Sequence, residues 1–596
     1  MANNQKKLFG LNDVKNKVSR SGFDLSKRLL FTAKVGELLP IYMKRVQPGD
    51  HFRFSLKDFT RTQPVESSAF TRLRGYYDFF YIPYRLLWRN APSSFTQMSK
   101  APTVASAINS NLAINDKVPF CTLETMVDAI LTMTSNNIVG LKSSTSAFRL
   151  LTMLGYGSFE FVKDTTTKSE IAAKVDLSVS VSLFPLLAYQ KAYYDFFRNT
   201  QWEINKPQAY NVDYFSNDTN LASYGTASQI AASGMFNLQY ANFAKDLFFG
   251  LLPNAQNGDT AIIDVGIDGS VQLNQNYSVS AFVANNTHSG EALSSKGTSP
   301  VLLDSGQTFY PYGSDKSNDY AVVKNIEFND RSLDMSTLQG SLNVLTLRNG
   351  LALQKWKEVA QSGNTDYRSQ IEKHFGVQLP RSLTTMSTYI GGLQSDIVIN
   401  EVVNNNLTAD SQADIKGKGV GSADGYFDYD VMEHGIIIGI YHCCPQVDYH
   451  ITGHGRDITA VNITDYAIPE FDRLGFEPVS YREFFNRKEF QGDNVDSMND
   501  FIGYAPRYYS YKTDVDEVKG AFVTSLPHWV AQFDAQYFKS YFDGVSLYAN
   551  FKINPAVLND IFGVNVDSTF DTDQLLIGLN MDIKAVRNLD YSGLPY

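Results

Sequence analysis

The residues of this chain that could bind a metal ion are gathered in one stretch, which holds His442, Cys443, Cys444, His450 and His454. Imidazole and thiolate groups are the usual zinc ligands. Their spacing fits no established zinc pattern, because neighbouring residues of a strand point to opposite faces and the glycines on either side of His454 disfavour a helix. We therefore expect buried thiols and surface imidazoles here, with no metal and no cofactor.

Two further stretches resemble ion-binding loops without meeting their requirements. Residues 417–425 are rich in glycine but lack the Gly-Lys-Ser/Thr ending of a phosphate-binding loop, so they predict a flexible loop. Residues 514–517 are acidic but lack the glycine and the distal glutamate of a calcium loop, so they predict solvated charge. No serine lies in a nucleophile-elbow pattern. The sequence therefore predicts that the chain is not an enzyme.

Residues 72–89 alternate arginines with aromatic residues, a composition that also occurs where single-stranded nucleic acid stacks on protein. The favoured interpretation is a buried aromatic strand, because a continuous apolar run usually means burial. Its arginines would then pair with acidic neighbours. These arginines are Arg72, Arg74, Arg85 and Arg89.

The charge of the chain is divided unevenly along its length. Residues 1–74 hold 15 Lys and Arg against 6 Asp and Glu, a net charge of +9. Because the whole chain has a net charge of −10, the remainder carries −19. A basic N-terminal arm over residues 1–34 suits a polyanion, whereas the acidic body suits solvent or protein. The alternatives are a disordered basic tail or a segment that docks on a neighbouring subunit. The predicted phosphate-contacting residues are Lys6, Lys7, Lys15, Lys17, Arg20, Lys27, Arg28 and Lys34.

The rest of the sequence predicts mainly β-structure. Alternating or continuous apolar runs predict strands over residues 52–57, 76–82, 175–183, 435–441 and 545–551. Helical spacing predicts helices over 123–131, from Pro185 to Phe197, and over 351–360 with Gly363 as the cap. The apolar run at 435–441 is too short to cross a bilayer, so we expect no membrane insertion. Many short strands with long connections indicate an antiparallel sandwich or barrel.

The stretch from Asn211 to Gly340 differs in texture from its surroundings. It contains 14 Asn and 16 Ser in 130 residues, with 13 acidic side chains against 5 basic ones. Asn and Ser favour turns, and a long insertion in a compact domain is usually functional. We expect a surface insertion here.

The segment FRFSLKDFTRTQPVESSAFTRLRGYYDFFYIPYRLLW (Phe52 to Trp88) resembles the N-terminal signature of the microvirus major capsid proteins, with the gokushovirus-like branch closest. Four further segments resemble that family in the same order, and so does the C-terminal Gly-Leu-Pro-Tyr. The chain departs from the family's pattern at Cys443-Cys444 and within residues 379–392. The four segments cover residues 184–201, 347–377, 432–449 and 501–522.

The resemblance implies an eight-stranded antiparallel jelly roll with long loop insertions and a few short helices. The core would occupy residues 35–207 and 341–596, with the insertion at 208–340. Copies would assemble in the cytoplasm of a bacterial host into a T = 1 icosahedral virion shell around circular single-stranded DNA. The insertion would meet a bacterial surface receptor, and a small DNA-binding or other minor virion protein is a further expected partner. The alternative is a β-rich polysaccharide-binding or polysaccharide-cleaving protein.

Overall fold

The computed structural model describes residues 19–65, 69–96, 117–133, 143–215, 226–261, 344–362, 364–378, 380, 385–403, 415–486, 501–533 and 551–591. It also describes the backbone of six short strands between residues 266 and 341. Lys6, Lys7, Lys15, Lys17 and Gly363 lie outside the described residues, as does the predicted strand at 545–551 except for Phe551.

One antiparallel sheet dominates the described part of the chain. Its spatial order is β9-β4-β7-β6-β5-β8-β3, and β1 and β2 both pair with the outer side of β9. The strands are β1 (Ser21–Asp24), β2 (Lys27–Ala33), β3 (Leu39–Val46), β4 (His51–Thr62), β5 (Arg72–Pro83), β6 (Thr388–Val403), β7 (Ile415–Asp430), β8 (Gly435–Gln446) and β9 (Leu575–Arg587).

Alternation along the strands gives this sheet one buried face and one exposed face. In β4, Phe52, Phe54 and Leu56 are fully buried, while Arg53 and Lys57 on the opposite face are exposed. The ends of the sheet meet across the buried face, since the rings of Phe31 in β2 and Tyr441 in β8 lie 5.3 Å apart. The predicted mainly β fold is confirmed as a strongly curled sheet. The sheet contains nine described strands where eight were expected, because the strand that pairs with the outer side of β9 is interrupted between β1 and β2.

Residues 417–425 are not a flexible loop, and that prediction is wrong. They belong to β7, which pairs with β4 from Arg61 to His51 and with β6 through Val403. Gly417, Gly419 and Gly421 occupy alternate positions on the buried side of the strand. A Cβ on Gly419 would lie 2.4 Å from Cγ2 of Thr62 in β4. The glycines therefore permit close packing inside the sheet rather than flexibility.

The described helices are short apart from one of 18 residues. The predicted helices at 123–131, 185–197 and 351–360 are confirmed, although the second continues as a π-helical turn over Tyr193–Phe197. They are α1 (Ala91–Thr96), α2 (Leu123–Leu131), α3 (Ser143–Leu154), α4 (Lys168–Ala172), α5 (Phe184–Ala192), α6 (Ala227–Ala232), α7 (Val344–Gln361), α8 (Tyr367–Phe375), α9 (Arg456–Thr459), α10 (Ala521–Thr524) and α11 (Asn559–Phe562).

The predicted strand at 175–183 is reduced to Ser180–Ser182, which pairs with Phe120–Thr122. The earlier part turns instead, because the Asp176 carboxylate accepts a hydrogen bond from the Ser178 amide at 3.0 Å. Two other small ladders join Asp448–Tyr449 to Gln532–Phe533 and Phe476–Ser480 to Phe501–Pro506.

The chain divides into two compact units. The larger comprises residues 1–257 and 357–596, and the smaller comprises Gly258–Trp356. In the smaller unit, Val279–Ala284 pairs with Val322–Phe328, and two shorter ladders continue the same antiparallel hairpin. Residues 226–257 of the predicted insertion belong to the larger unit, where Ile230, Phe236 and Phe248 are buried.

Candidate functional site

The predicted phosphate-contacting residues that are described lie along the outer edge of the main sheet, with one exception. Arg20 precedes β1 and donates to the backbone oxygen of Gly49 at 2.6 Å. Lys27 and Arg28 begin β2, and both side chains are exposed. Lys27 lies 5.3 Å from the ring of Tyr42, and partial burial together with the charge of Lys44 lowers its pKa. Of these three cations Arg28 is the most open to a polyanion, since Arg20 already contacts a backbone oxygen and the ammonium of Lys27 is partly desolvated beside Tyr42.

Lys34 is the exception, and its position in the structure argues against the predicted contact with DNA. Its side chain is fully buried. The ammonium donates to Asp573 at 2.6 Å and to the backbone oxygen of Thr569 at 2.5 Å. A phosphate could reach this ammonium only by breaking a buried ion pair.

Lys34 belongs to a buried network of two cations and two carboxylates, which we call the ion cluster: Lys34, Glu37, Arg149 and Asp573. The Arg149 guanidinium contacts Glu37 at 2.9 Å and Asp573 at 3.0 Å. Burial alone would lower the pKa of Arg149, but the two carboxylates raise it. The network joins α3 to the segments that flank β2 and β9. Sequence reasoning missed it, although an arginine inside the apolar run Phe148 to Leu151 is a signal of a buried partner.

The proposed metal-ligand stretch does not converge in space. His442 stacks on Tyr76 at 4.9 Å, whereas Cys443 is fully buried on the opposite face of β8. Burial lowers the pKa of His442 to about 3 and raises that of Cys444 to about 12. All three cysteines are free. Within the described residues, no three His, Cys, Asp or Glu side chains are grouped closely enough to hold a metal ion.

Residues 72–89 form a buried aromatic strand with paired arginines, as the favoured interpretation predicted. Tyr77, Phe79 and Trp88 are buried. The arginines meet carboxylates around the sheet, so neither the rings nor the guanidinium groups form an open stacking platform. The pairs are Arg72 with Asp516 at 2.6 Å, Arg74 with Asp396 at 2.6 Å, Arg85 with Glu433 at 2.7 Å and Arg89 with Asp213 at 3.8 Å.

A cavity of about 1060 Å³ lies beside the C-terminal end of α5. Its carboxylates are engaged in structural hydrogen bonds. Asp195 accepts from Lys191 at 2.8 Å and from the Ser387 amide at 2.8 Å, while Asp366 caps α8 through the Ser369 amide at 3.0 Å. Glu203 accepts from the Tyr193 hydroxyl at 2.5 Å. This arrangement positions backbone segments and does not resemble a poised pair of acid and base.

Three of the most exposed apolar side chains in the described part of the larger unit lie in residues 456–474, which comprise α9 and the stretch up to the strand Phe476–Ser480. Ile458, Val461 and Ile463 are exposed by 80%, 84% and 84%. Exposed apolar patches mark interaction sites when they are contiguous. Sequence reasoning missed this segment because its polar and apolar residues alternate irregularly. No helix among the described residues is long and apolar enough to cross a membrane.

Comparison with known proteins identifies relatives of this chain. A family model described as capsid protein (F protein) matches residues 12–141 and 157–595. Capsid protein VP1 of Chlamydia phage 1 is 24% identical over 545 residues, which cover 85% of this chain and 84% of the relative. Capsid protein VP1 of Bdellovibrio phage phiMH2K is 23% identical over 527 residues, which cover 85% of this chain and 82% of the relative.

The family model spans both parts of the large β unit and the hairpin unit between them. The resemblance to phage capsid proteins is thereby confirmed. So is the prediction that the chain is not an enzyme, since the matching family and both relatives are capsid proteins. The chain belongs to the capsid protein (F protein) family.

Proposed function

We propose that this chain is the major capsid protein of a small bacteriophage and assembles into a T = 1 icosahedral shell around circular single-stranded DNA. The observation that carries the proposal is the extent of the family match, which leaves out only residues 1–11, 142–156 and the last residue. Closure of a shell multiplies contacts that are individually modest. Assembly would take place in the cytoplasm of the bacterial host.

The DNA would lie on the side of the shell that the N-terminal arm faces. Lys6, Lys7, Lys15 and Lys17, followed by Arg20, Lys27 and Arg28, would neutralise phosphates without reading sequence. The exposed positions of the last three support this assignment. A small DNA-binding or other minor virion protein would bridge to the genome where the arm does not reach.

The residues from Asn211 to Gly340 would face outward and bind a bacterial surface receptor. Their excess of acidic side chains disfavours contact with DNA, which supports an outward position. Within them, the hairpin unit Gly258–Trp356 is the part best suited to attachment, because residues 226–257 contribute to the core of the larger unit.

The test is the state of the purified full-length protein. We expect closed particles of megadalton mass in size-exclusion chromatography and in negative-stain images. A low-order oligomer that forms no shell in the presence or absence of single-stranded DNA would contradict the proposal. Release of reducing sugars from bacterial polysaccharides by that oligomer would favour the polysaccharide alternative instead.

A further inference from the structure

The residues 456–474, which we call the outer segment, expose six large apolar side chains over 19 residues. Tyr466, Phe471 and Leu474 are exposed by 54%, 41% and 62%. In a single chain such a segment would normally turn its apolar side chains inward. The six residues are Ile458, Val461, Ile463, Tyr466, Phe471 and Leu474.

The outer segment is held in this conformation by polar contacts. Arg456 pairs with Glu477 at 2.7 Å, approaches Glu483 at 3.4 Å and lies 4.7 Å from the ring of Tyr509. Asp465 accepts hydrogen bonds from the amides of Val461 at 3.1 Å and Asn462 at 2.9 Å. The apolar side chains are therefore presented outward by a fixed backbone.

The exposed apolar area of the outer segment is large enough to form the larger part of an interface. An aromatic side chain offers roughly 150–250 Å² and an aliphatic one about 60–120 Å², so the six exposed fractions correspond to roughly 500 Å². That is more than half of the about 800 Å² that each partner contributes to a stable interface. A capsid protein has copies of itself as its most abundant neighbours.

A second apolar surface lies on the exposed face of the main sheet, and we call it the sheet patch. The ladder places Leu30 and Phe59 on either side of Gly578, and Leu576, Arg61, Val420 and Val398 in the adjacent row. Leu30 is 66% exposed and Phe59 is 46% exposed, with Arg61 lying 4.9 Å from the Phe59 ring. The absence of a side chain at Gly578 lets Leu30 lean over it.

The two surfaces carry opposite charge. In the outer segment, Arg456 and Asp472 are already paired with other residues. Its remaining exposed charges are the cation Arg473 and three carboxylates, so the net charge is negative. The carboxylates belong to Asp457, Asp465 and Glu470. The sheet patch contains the exposed cation Arg61 and is bordered by the exposed cation Lys418. Apolar surfaces with complementary charge at their borders are typical of specific interfaces.

We propose that the outer segment of one copy packs on the sheet patch of a second copy, an inference that rests on the proposed shell function. The rings of a closed shell require such a contact between two different surfaces of the same chain. The two surfaces supply that pair.

The test compares the assembly of full-length variants by sedimentation velocity over a concentration series. We expect I458S/I463S in the outer segment and L30S/F59S in the sheet patch each to raise the concentration needed for assembly at least tenfold. The matched control is I204S/F375S, whose side chains are 81% and 74% exposed outside both surfaces. It should assemble like the wild type. Assembly of either interface variant at the wild-type concentration, or an equal defect in the control, would overturn the inference.

A cross-linking measurement separates this inference from the proposed function. Chains carrying V461C are mixed with chains carrying V398C and oxidised, and we expect a mixed disulfide dimer. A mixture of V461C and I204C should give none. Failure of the wild type to form shells while the mixed dimer forms would reject the proposed function alone. Absence of the mixed dimer in wild-type-like shells would reject the pairing of these two surfaces.

Discussion

The buried ion cluster shows how a single charged residue can determine the stability of this fold. Arg149 is 1% exposed and contacts both Glu37 and Asp573. Because the desolvation of these carboxylates is compensated mainly by their cationic partners, loss of one partner leaves a buried charge in excess.

We predict that Arg149→Met lowers the free energy of unfolding of the subunit by about 3–5 kcal/mol. Denaturant titration of the dissociated subunit measures this. The matched control is Arg28→Met, an exposed arginine at the sheet edge, which should change the free energy by less than about 0.5 kcal/mol. A loss below about 1 kcal/mol for Arg149→Met would show that charge pairing in the ion cluster contributes little to the free energy of unfolding.

We expect the Asp78 carboxyl to make the stability of the subunit depend on pH. Burial raises the pKa of its carboxyl to about 6, although a hydrogen bond from Tyr389 opposes the shift. His442 approaches it at 3.8 Å but remains neutral above its lowered pKa, so it supplies no compensating charge. The folded state therefore holds this proton more tightly than the unfolded state, and stability is lost as the pH rises through 6.

The expected size of this effect is about 3 kcal/mol between pH 4 and pH 7, given 1.36 kcal/mol per unit of pKa. We predict that Asp78→Asn removes this part of the pH dependence. Unfolding curves for both proteins at several pH values measure it, and the difference between them isolates Asp78 from other buried carboxyls. Parallel curves across this range would contradict the assignment.

At the scale of elements, β7 shows that glycines can specify a strand. Gly417, Gly419 and Gly421 all lie on the buried side, and at Gly419 the neighbouring strand β4 leaves no room for a side chain. The Gly419 amide in β7 donates a hydrogen bond to the Thr62 hydroxyl in β4 at 2.7 Å.

We predict that Gly419→Val destabilises the subunit by about 1–3 kcal/mol, because its Cβ would collide with Thr62. Val420→Ala, on the exposed side of the same strand, should cost less than about 1 kcal/mol. Thermal unfolding of both variants provides the comparison. Equal effects at the two positions would mean that strand propensity, and not packing against β4, determines the outcome.

Strands and helices with a clear period could be predicted from the sequence, whereas elements defined by tertiary contact could not. β4 and β8 were found because apolar side chains mark their buried faces. β7 was missed because its buried face carries glycine, which local reasoning assigns to loops. The ion cluster was missed because its members lie up to 539 residues apart, as Lys34 and Asp573 show. The outer segment was missed because exposure is a property of the folded chain.

At the scale of the whole molecule, the proposed role of the hairpin unit Gly258–Trp356 makes attachment to the host separable from assembly. We predict that replacing residues 285–321 by a short turn preserves particle formation and abolishes adsorption to host cells. The strands Val279–Ala284 and Val322–Phe328 on either side are retained, as are the buried residues 226–257. Adsorption assays on assembled particles measure the effect, and unchanged adsorption would exclude this unit as the attachment site.

The uneven charge of the chain makes a separate prediction about the genome. Lys6, Lys7, Lys15 and Lys17 can be changed together to Gln without touching the ion cluster or the strands β1 and β2, which a deletion of residues 1–34 would remove. Loss of four phosphate contacts weakens binding to single-stranded DNA and reduces its dependence on salt. We predict particles of normal size with a reduced DNA content.

The matched control removes four positive charges from the body, by changing Lys163, Lys168, Lys174 and Lys519 to Gln. The ratio of absorbance at the nucleic acid and protein maxima, measured on purified particles, reports the DNA content of both variants. Normal DNA content is expected for the control, because these lysines lie in the acidic part of the chain. An equal reduction in both variants would mean that total charge, and not a basic arm directed at the genome, governs packaging.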